Sequence, residues 1–140
     1  LGTLFVCATE SVAHENFKKA FIRASARDAV PSVQLDPQFP VIPVRALQND
    51  ATREFQQTQR GVIDAFDRGE VDQTEAQLKI ENYWAGALRR AVVDGDVETG
   101  SLMAGQSVGM VKEEKPVAEI ISGLIREAVD ALTAREQASG

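Results

Sequence analysis

Four of the five prolines stand close together, at Pro31, Pro37, Pro40 and Pro43. Each lacks an amide donor and clashes with the turn before it, so no helix runs through 30–48. Val33-Gln34-Leu35 and Val41 to Leu47 read as short extended segments joined by a turn at Asp36-Pro37-Gln38. A two-stranded ribbon follows, and Pro43 confines its strand to an edge.

On both sides of this stretch the spacing is helical. Phe17, Ala20, Phe21 and Ala24 recur on one face of a helix over 12–26, with Ser11 as N-cap and Glu15 in the first turn. A second helix spans 50–67, capped by Asp50, with Phe55, Val62, Ile63 and Phe66 inward and Gly69 at its end. Asp72 and Glu75 form a capping box opening a long helix over 73–93. Leu78, Trp84, Leu88, Ala91 and Val92 supply its buried side, and Gly95 closes it. Residues 94–112 carry Gly95, Gly100, Gly105 and Gly109, too many for the inside of a helix or strand. The last helix opens with Pro116 at its first position. Its stripe of Val117, Ile120, Ile121, Leu124, Ala128, Val129 and Leu132 is the strongest periodic signal, and the tail Ala138-Ser139-Gly140 reads as frayed. The sum is four helices, one ribbon and one glycine-rich loop. No run has the continuous apolar signature of a buried parallel strand, so these 140 residues by themselves are neither a barrel nor a doubly wound sheet.

Charge and composition exclude several functions. The net charge of −6 and the lack of any Lys/Arg cluster argue against nucleic acid as a partner. No apolar run approaches the ~20 residues that span a bilayer. Cys7 is the sole cysteine, so no internal disulfide forms. With no basic leader ahead of an apolar stretch, these features predict a cytoplasmic protein. A homo-oligomer is compatible with the sequence. The opening run, Leu1 to Ala8, is nearly all apolar or small, whereas termini are normally polar. It reads as a chain cut inside a core element, or as a processed terminus.

Candidate chemistry is sparse. Gly2-Thr3 could cradle a phosphate, since glycine admits close backbone approach and threonine adds a hydroxyl, yet alone the pair reads as a turn. Ser101-Leu102-Met103-Ala104-Gly105-Gln106 could offer amides and an amide side chain to a planar or anionic ligand, or serve as a flexible connector. His14, the only histidine, sits at a helix start beside Glu15 and has no catalytic partner in recognisable spacing. No His/Cys cluster supports a metal site. Cys7 reads as a small buried hydrophobe, Tyr83 and Trp84 as core or interface anchors, and Arg89-Arg90 as solvated.

In order, these pieces resemble a known pattern. Gly2-Thr3-Leu4-Phe5 followed by Ala8-Thr9-Glu10-Ser11 and Ala13-His14 resembles a stretch of the nitronate monooxygenase family (formerly 2-nitropropane dioxygenases), shared with FMN-dependent enoyl-acyl-carrier-protein reductases. Arg45, Leu47 and Asn49 resemble the family's element before a helix. Ala85-Gly86-Ala87-Leu88 and Asp94-Gly95-Asp96-Val97 resemble the reductase branch. The run from Gly100 to Gly109 resembles the family's glycine-rich loop. The resemblance spans nearly the whole chain.

It implies an α/β protein, an FMN-binding TIM (β/α)8 barrel with a mostly helical accessory domain, of which this chain is the C-terminal segment. The segment itself is expected to be mostly α with a small two-stranded β ribbon. By the same match, 1–27 is the end of the last barrel strand and the following helix, 28–112 the accessory domain, and 113–140 the C-terminal helix. Gly2 and Thr3 become contacts to the FMN phosphate, and Met103, Ala104, Gly105 and Gln106 a loop returning to the flavin. No catalytic residue is expected here: the family's catalytic histidine lies before the Gly-Thr pair, upstream of residue 1, and His14 matches a non-catalytic one. The implied partners are a small-molecule substrate and a missing N-terminal barrel portion of the same protein, without which the segment is expected to be inactive and unable to retain FMN. The implied reaction is oxidation of nitronates by oxygen. The alternatives are enoyl thioester reduction with a nicotinamide donor and, from another class, a non-enzymatic helical interaction module.

Overall fold

The computed structural model describes residues 1–138; Ser139 and Gly140 of the expected frayed tail lie outside the described residues. The elements in order are α1 (Gly2–Phe5), α2 (Glu15–Arg23), β1 (Ala29–Pro31), β2 (Arg45–Leu47), α3 (Asp50–Asp67), α4 (Gln73–Asn82), α5 (Ala87–Val92), a 3-10 turn (Gln106–Met110) and α6 (Val117–Ala138). Residues 2–5, which begin at the Gly-Thr pair expected to follow a barrel strand, make one helical turn.

α2 is shorter than its periodicity suggests because His14, not Ser11, is its cap. The His14 Nδ1 accepts the amide of Asn16 at 3.1 Å, while Ser11 serves the amide of Ala13. Gly95 lies directly over the His14 ring. A Cβ there would come within 2.3 Å of Nδ1, and its φ of +74° is left-handed, so both sterics and backbone require glycine.

The ribbon is antiparallel and pairs Ala29 with Leu47, Val30 with Ala46 and Pro31 with Arg45. β2 thus occupies the end of the expected segment Val41 to Leu47, whereas β1 precedes the expected Val33–Leu35. Prolines 37, 40 and 43 contribute no ladder donors, and Pro31 ends β1, so the stretch between the strands is an irregular excursion. The Asp36 turn is present, with the side chain accepting the amide of Gln38 at 2.7 Å. It delivers Phe39 into a core.

α3 has the expected bounds but a different cap. Asn49 forms the capping box, its side chain accepting the amide of Thr52 while Thr52 Oγ1 accepts the amide of Asn49. Asp50 instead pairs with Arg53 inside the first turn. Gly69 follows α3 at φ +72°. Asp72 caps α4 through the amide of Glu75. The expected single helix over 73–93 is broken at Tyr83–Gly86, where Gly86 adopts φ +71°. Ala76, Ile80, Ala87 and Ala91 are buried, whereas Leu78 and Leu88 are exposed.

Two apolar clusters result. One gathers Phe17, Phe21, Cys7, Leu47, Ala91, Leu102, Ala104, Val108 and Val111. The Phe17 and Phe21 rings lie 4.5 Å apart, and burying each contributes about 1.5–3 kcal/mol. The other joins α3 to α4 through Phe39, Phe55, Ala76 and Ile80, with Phe66, Tyr83 and Trp84 against it. Tyr83 and Trp84 lie 5.1 Å and 5.2 Å from Phe55, as anchors. α6 starts at Val117, directly after Pro116, and of its apolar stripe only Ile120 is buried. Ile121, Ile125, Val129 and Leu132 stand in solvent, 45–61 % exposed. No helix among the described residues is long and apolar enough to cross a membrane.

Candidate functional site

The two segments singled out in the sequence, a hundred residues apart, meet. The amide of Gly105 donates to Thr3 Oγ1 at 3.1 Å. A hydroxyl that accepts one bond still has its proton to donate, so Thr3 remains able to bind an anion. Gly2, beside it, is exposed, and a Cβ there would meet nothing within 4 Å. In the first turn of a helix its amide has no intrahelical acceptor.

Four features tie the loop to the rest of the fold. Its start is clamped by Asn49, whose Nδ2 donates to the carbonyls of Val97 at 2.9 Å and Gly100 at 2.8 Å. Gly100 packs against α5 so closely that a Cβ would lie 2.6 Å from that of Ala91. Its middle is stitched to β2: the amide of Leu47 donates to Leu102, and the amide of Ala104 donates to Arg45. Leu102, Ala104, Val108 and Val111 are buried and anchor it to the core.

This decides what each candidate can offer. Ala104 is buried, and its amide is taken by the Arg45 carbonyl, so it anchors the loop and has neither side chain nor N–H free for a ligand. The Gly105 amide is taken by Thr3. Met103 and Gln106 are exposed. The His14 Nδ1 is committed to the cap of α2, beneath Gly95. Cys7 is buried, and burial, then the nearby Glu114 carboxylate, push its thiol up to about 11. Arg90 donates to the carbonyls of Ala85 and Thr99 and so ties the α4–α5 turn to the loop.

Three structural residues escaped the reading of the sequence as individual contributors. Arg45 and Asn49 stood there only as parts of a motif, yet together they hold the start and the middle of the loop. Lys18 is buried on a helix, donating to the Ala8 carbonyl at 2.8 Å and pairing with Glu114 at 3.2 Å. No periodic pattern signals a buried lysine. It ties the segment after α1 to the segment before α6.

Beside the loop, β1, the excursion after it, α3 and α4 enclose a cleft of about 650 Å³. Its walls include Val33, Val44, Phe55, Ile80 and Trp84, and Met103 of the loop lines it too. Gln59, buried in α3, fixes the outer wall by donating to the Val33 carbonyl and accepting the amide of Leu35.

Comparison with known proteins agrees with this layout. The pattern of the family described as nitronate monooxygenase matches residues 1–127. Among solved structures, FabK from Thermotoga maritima superposes with a TM-score of 0.69 at 33% identity, over 95% of this chain and 38% of that one. A mutant of FabK from the same organism gives 0.68 at 30% identity, over 96% of this chain and 34% of that one. The chain thus spans little more than a third of the length of these structures. No curated protein matches it.

Proposed function

Because the chain belongs to the nitronate monooxygenase family, whose members are TIM-barrel proteins to which this mostly helical segment with its ribbon corresponds, we propose that it serves an FMN-dependent oxidoreductase that oxidises nitronates with oxygen. FMN would supply the two-electron chemistry, and the protein would bind and orient it. The junction of Thr3 with Gly105 carries this reading. It brings the Gly-Thr pair and the glycine-rich loop, the two blocks that resemble cofactor-binding elements, to one place.

In this reading Gly2 offers its amide and Thr3 its hydroxyl proton to the FMN phosphate. Met103 and Gln106 face the flavin side. Gly105 and Ala104 position them through Thr3 and Arg45. Proton abstraction from the substrate falls to a group outside these residues, since His14 is committed to its cap. The substrate is a small molecule, and a barrel portion preceding the Gly-Thr pair completes the phosphate site.

The second reading is reduction of an enoyl thioester with NADH or NADPH. The blocks Ala85–Leu88 and Asp94–Val97 and the 30–33% identity with FabK favour it. Stopped-flow kinetics separate the two. Nitronate turnover with oxygen uptake supports the first, and rapid flavin reduction by a nicotinamide with enoyl turnover supports the second. Because this segment by itself is not expected to retain FMN, the test uses the protein that includes the preceding barrel portion: no flavin absorbance there sinks both readings and returns the chain to a helical interaction module. Thr3→Val removes the hydroxyl at nearly constant volume and is expected to weaken FMN binding by roughly ten- to a hundredfold. Thr3→Ser should restore it, and unchanged FMN affinity in Thr3→Val would remove Thr3 from the site.

A further inference from the structure

We propose that Met103 is a modification site: its thioether is oxidised to the sulfoxide by hydrogen peroxide formed where oxygen reoxidises the reduced flavin beside it. This rests on the oxidoreductase reading above and holds whether a nitronate or NADPH reduces the flavin. Three observations carry it. First, the backbone around Met103 is paired in an extended arrangement. Met103 bridges Ala46, the Leu102 carbonyl accepts the Leu47 amide, and the Ala104 amide donates to the Arg45 carbonyl. Second, side chains alternate along such a segment. Leu102 and Ala104 are buried, and Met103 between them turns outward, 44 % exposed. Third, it does so at the candidate cofactor site, since Gly105, two residues on, donates its amide to Thr3. The sequence has one other methionine, Met110, which is more exposed, at 77 %. It ends the 3-10 turn and lies outside the cleft that Met103 lines.

Oxygen takes two electrons and two protons from the reduced flavin and leaves as hydrogen peroxide. A lone pair on the Met103 sulfur attacks one peroxide oxygen, and the O–O bond breaks. The displaced hydroxide takes the proton of the new S–OH group and leaves as water. The sulfur is thereby oxidised by two electrons and the peroxide reduced by two. Oxidation by dissolved peroxide follows exposure and marks Met110 first. Oxidation by peroxide born at the flavin follows proximity and marks Met103 first. The sulfoxide places a polar group on an apolar wall beside the cofactor, so turnover should slow as it accumulates.

Both methionines lie on one tryptic peptide, Ala91–Lys112, so mass spectrometry of that peptide reads their ratio directly. The flavin-loaded protein, with the preceding barrel portion, is compared in two conditions. In one, hydrogen peroxide is added to the resting protein. In the other, propyl-1-nitronate or NADPH is turned over in air, with catalase present to destroy peroxide that escapes. Turnover is expected to raise the ratio of Met103 to Met110 sulfoxide by roughly tenfold or more over added peroxide. Methionine sulfoxide reductases should return the rate lost during turnover, and Met103→Leu should lose no rate relative to its own start. The ratio needs no variant, so it decides even if Met103→Leu fails to fold. An equal ratio in the two conditions, or Met103 oxidation abolished by catalase, overturns the proposal and leaves the oxidoreductase reading standing. A protein that turns over neither nitronate, NADPH nor enoyl thioester overturns both.

Discussion

Asn49 concentrates three hydrogen bonds in one buried side chain. It caps α3 through the Thr52 amide and holds the glycine-rich loop through the carbonyls of Val97 and Gly100. Asn49→Ala removes the cap and leaves two carbonyls unpaired, for an expected loss of about 2–4 kcal/mol in urea unfolding. Asn49→Asp keeps the cap but not the donors, so it should recover only part of that loss. Equal stability of wild type and Asn49→Ala would show that the loop is held elsewhere. Residue identity made Asn49 visible as a motif position. Its double role was not visible, because Val97 and Gly100 lie about fifty residues away. His14 shows the converse: its distance from any catalytic spacing was legible, while its cap beneath Gly95 depends on a contact between distant segments.

At the scale of elements, the start of α6 depends on Glu10. Its carboxylate accepts the Val117 amide at 3.0 Å, and that bond, the largest influence on it, holds its pKa below the ordinary 4.5. A carboxylate whose pKa is lowered by folding stabilises the fold at neutral pH. That contribution is lost as pH falls through the lowered folded-state value. Hydrogen exchange at Val117–Ile120 should accelerate below about pH 4.5 in wild type, beyond the general acid effect. Glu10→Gln should exchange faster at neutral pH and lack the added acid step. Matching pH profiles for the two would discount the cap. The break between α4 and α5 has another origin. Trp84, Leu88, Ala91 and Val92 keep helical spacing through it, so periodicity predicts one helix. Tyr83 donates to the Ala51 carbonyl at 2.9 Å and packs on Phe55, and the chain then turns at Gly86, whose φ is +71°. The small Ala76, Ala87 and Ala91 then form the buried side in place of the leucines.

For the whole molecule, the described residues form two cores bridged by the loop and the ribbon, with α6 largely outside both. Only Ile120 of its stripe is buried, and a helix gains most of its stability from packing. Amides of 125–138 should therefore exchange far faster than those of α2, whose Phe17 and Phe21 are buried. Equal protection would show that this stripe is covered in solution. Local rules decided much of this protein by themselves. Proline positions excluded helix from the excursion, Gly69 and Asp72 marked the end of α3 and the start of α4, and ordered motifs pointed to the family. These depend on neighbours within a turn or two, and such neighbours are written next to one another. Only tertiary structure decided that Thr3 meets Gly105, that Asn49 clamps the loop, that α4 and α5 part, and that the α6 stripe lies bare. Each is settled by residues far apart in the chain, whose approach depends on how whole elements pack, and one-dimensional spacing carries no record of that.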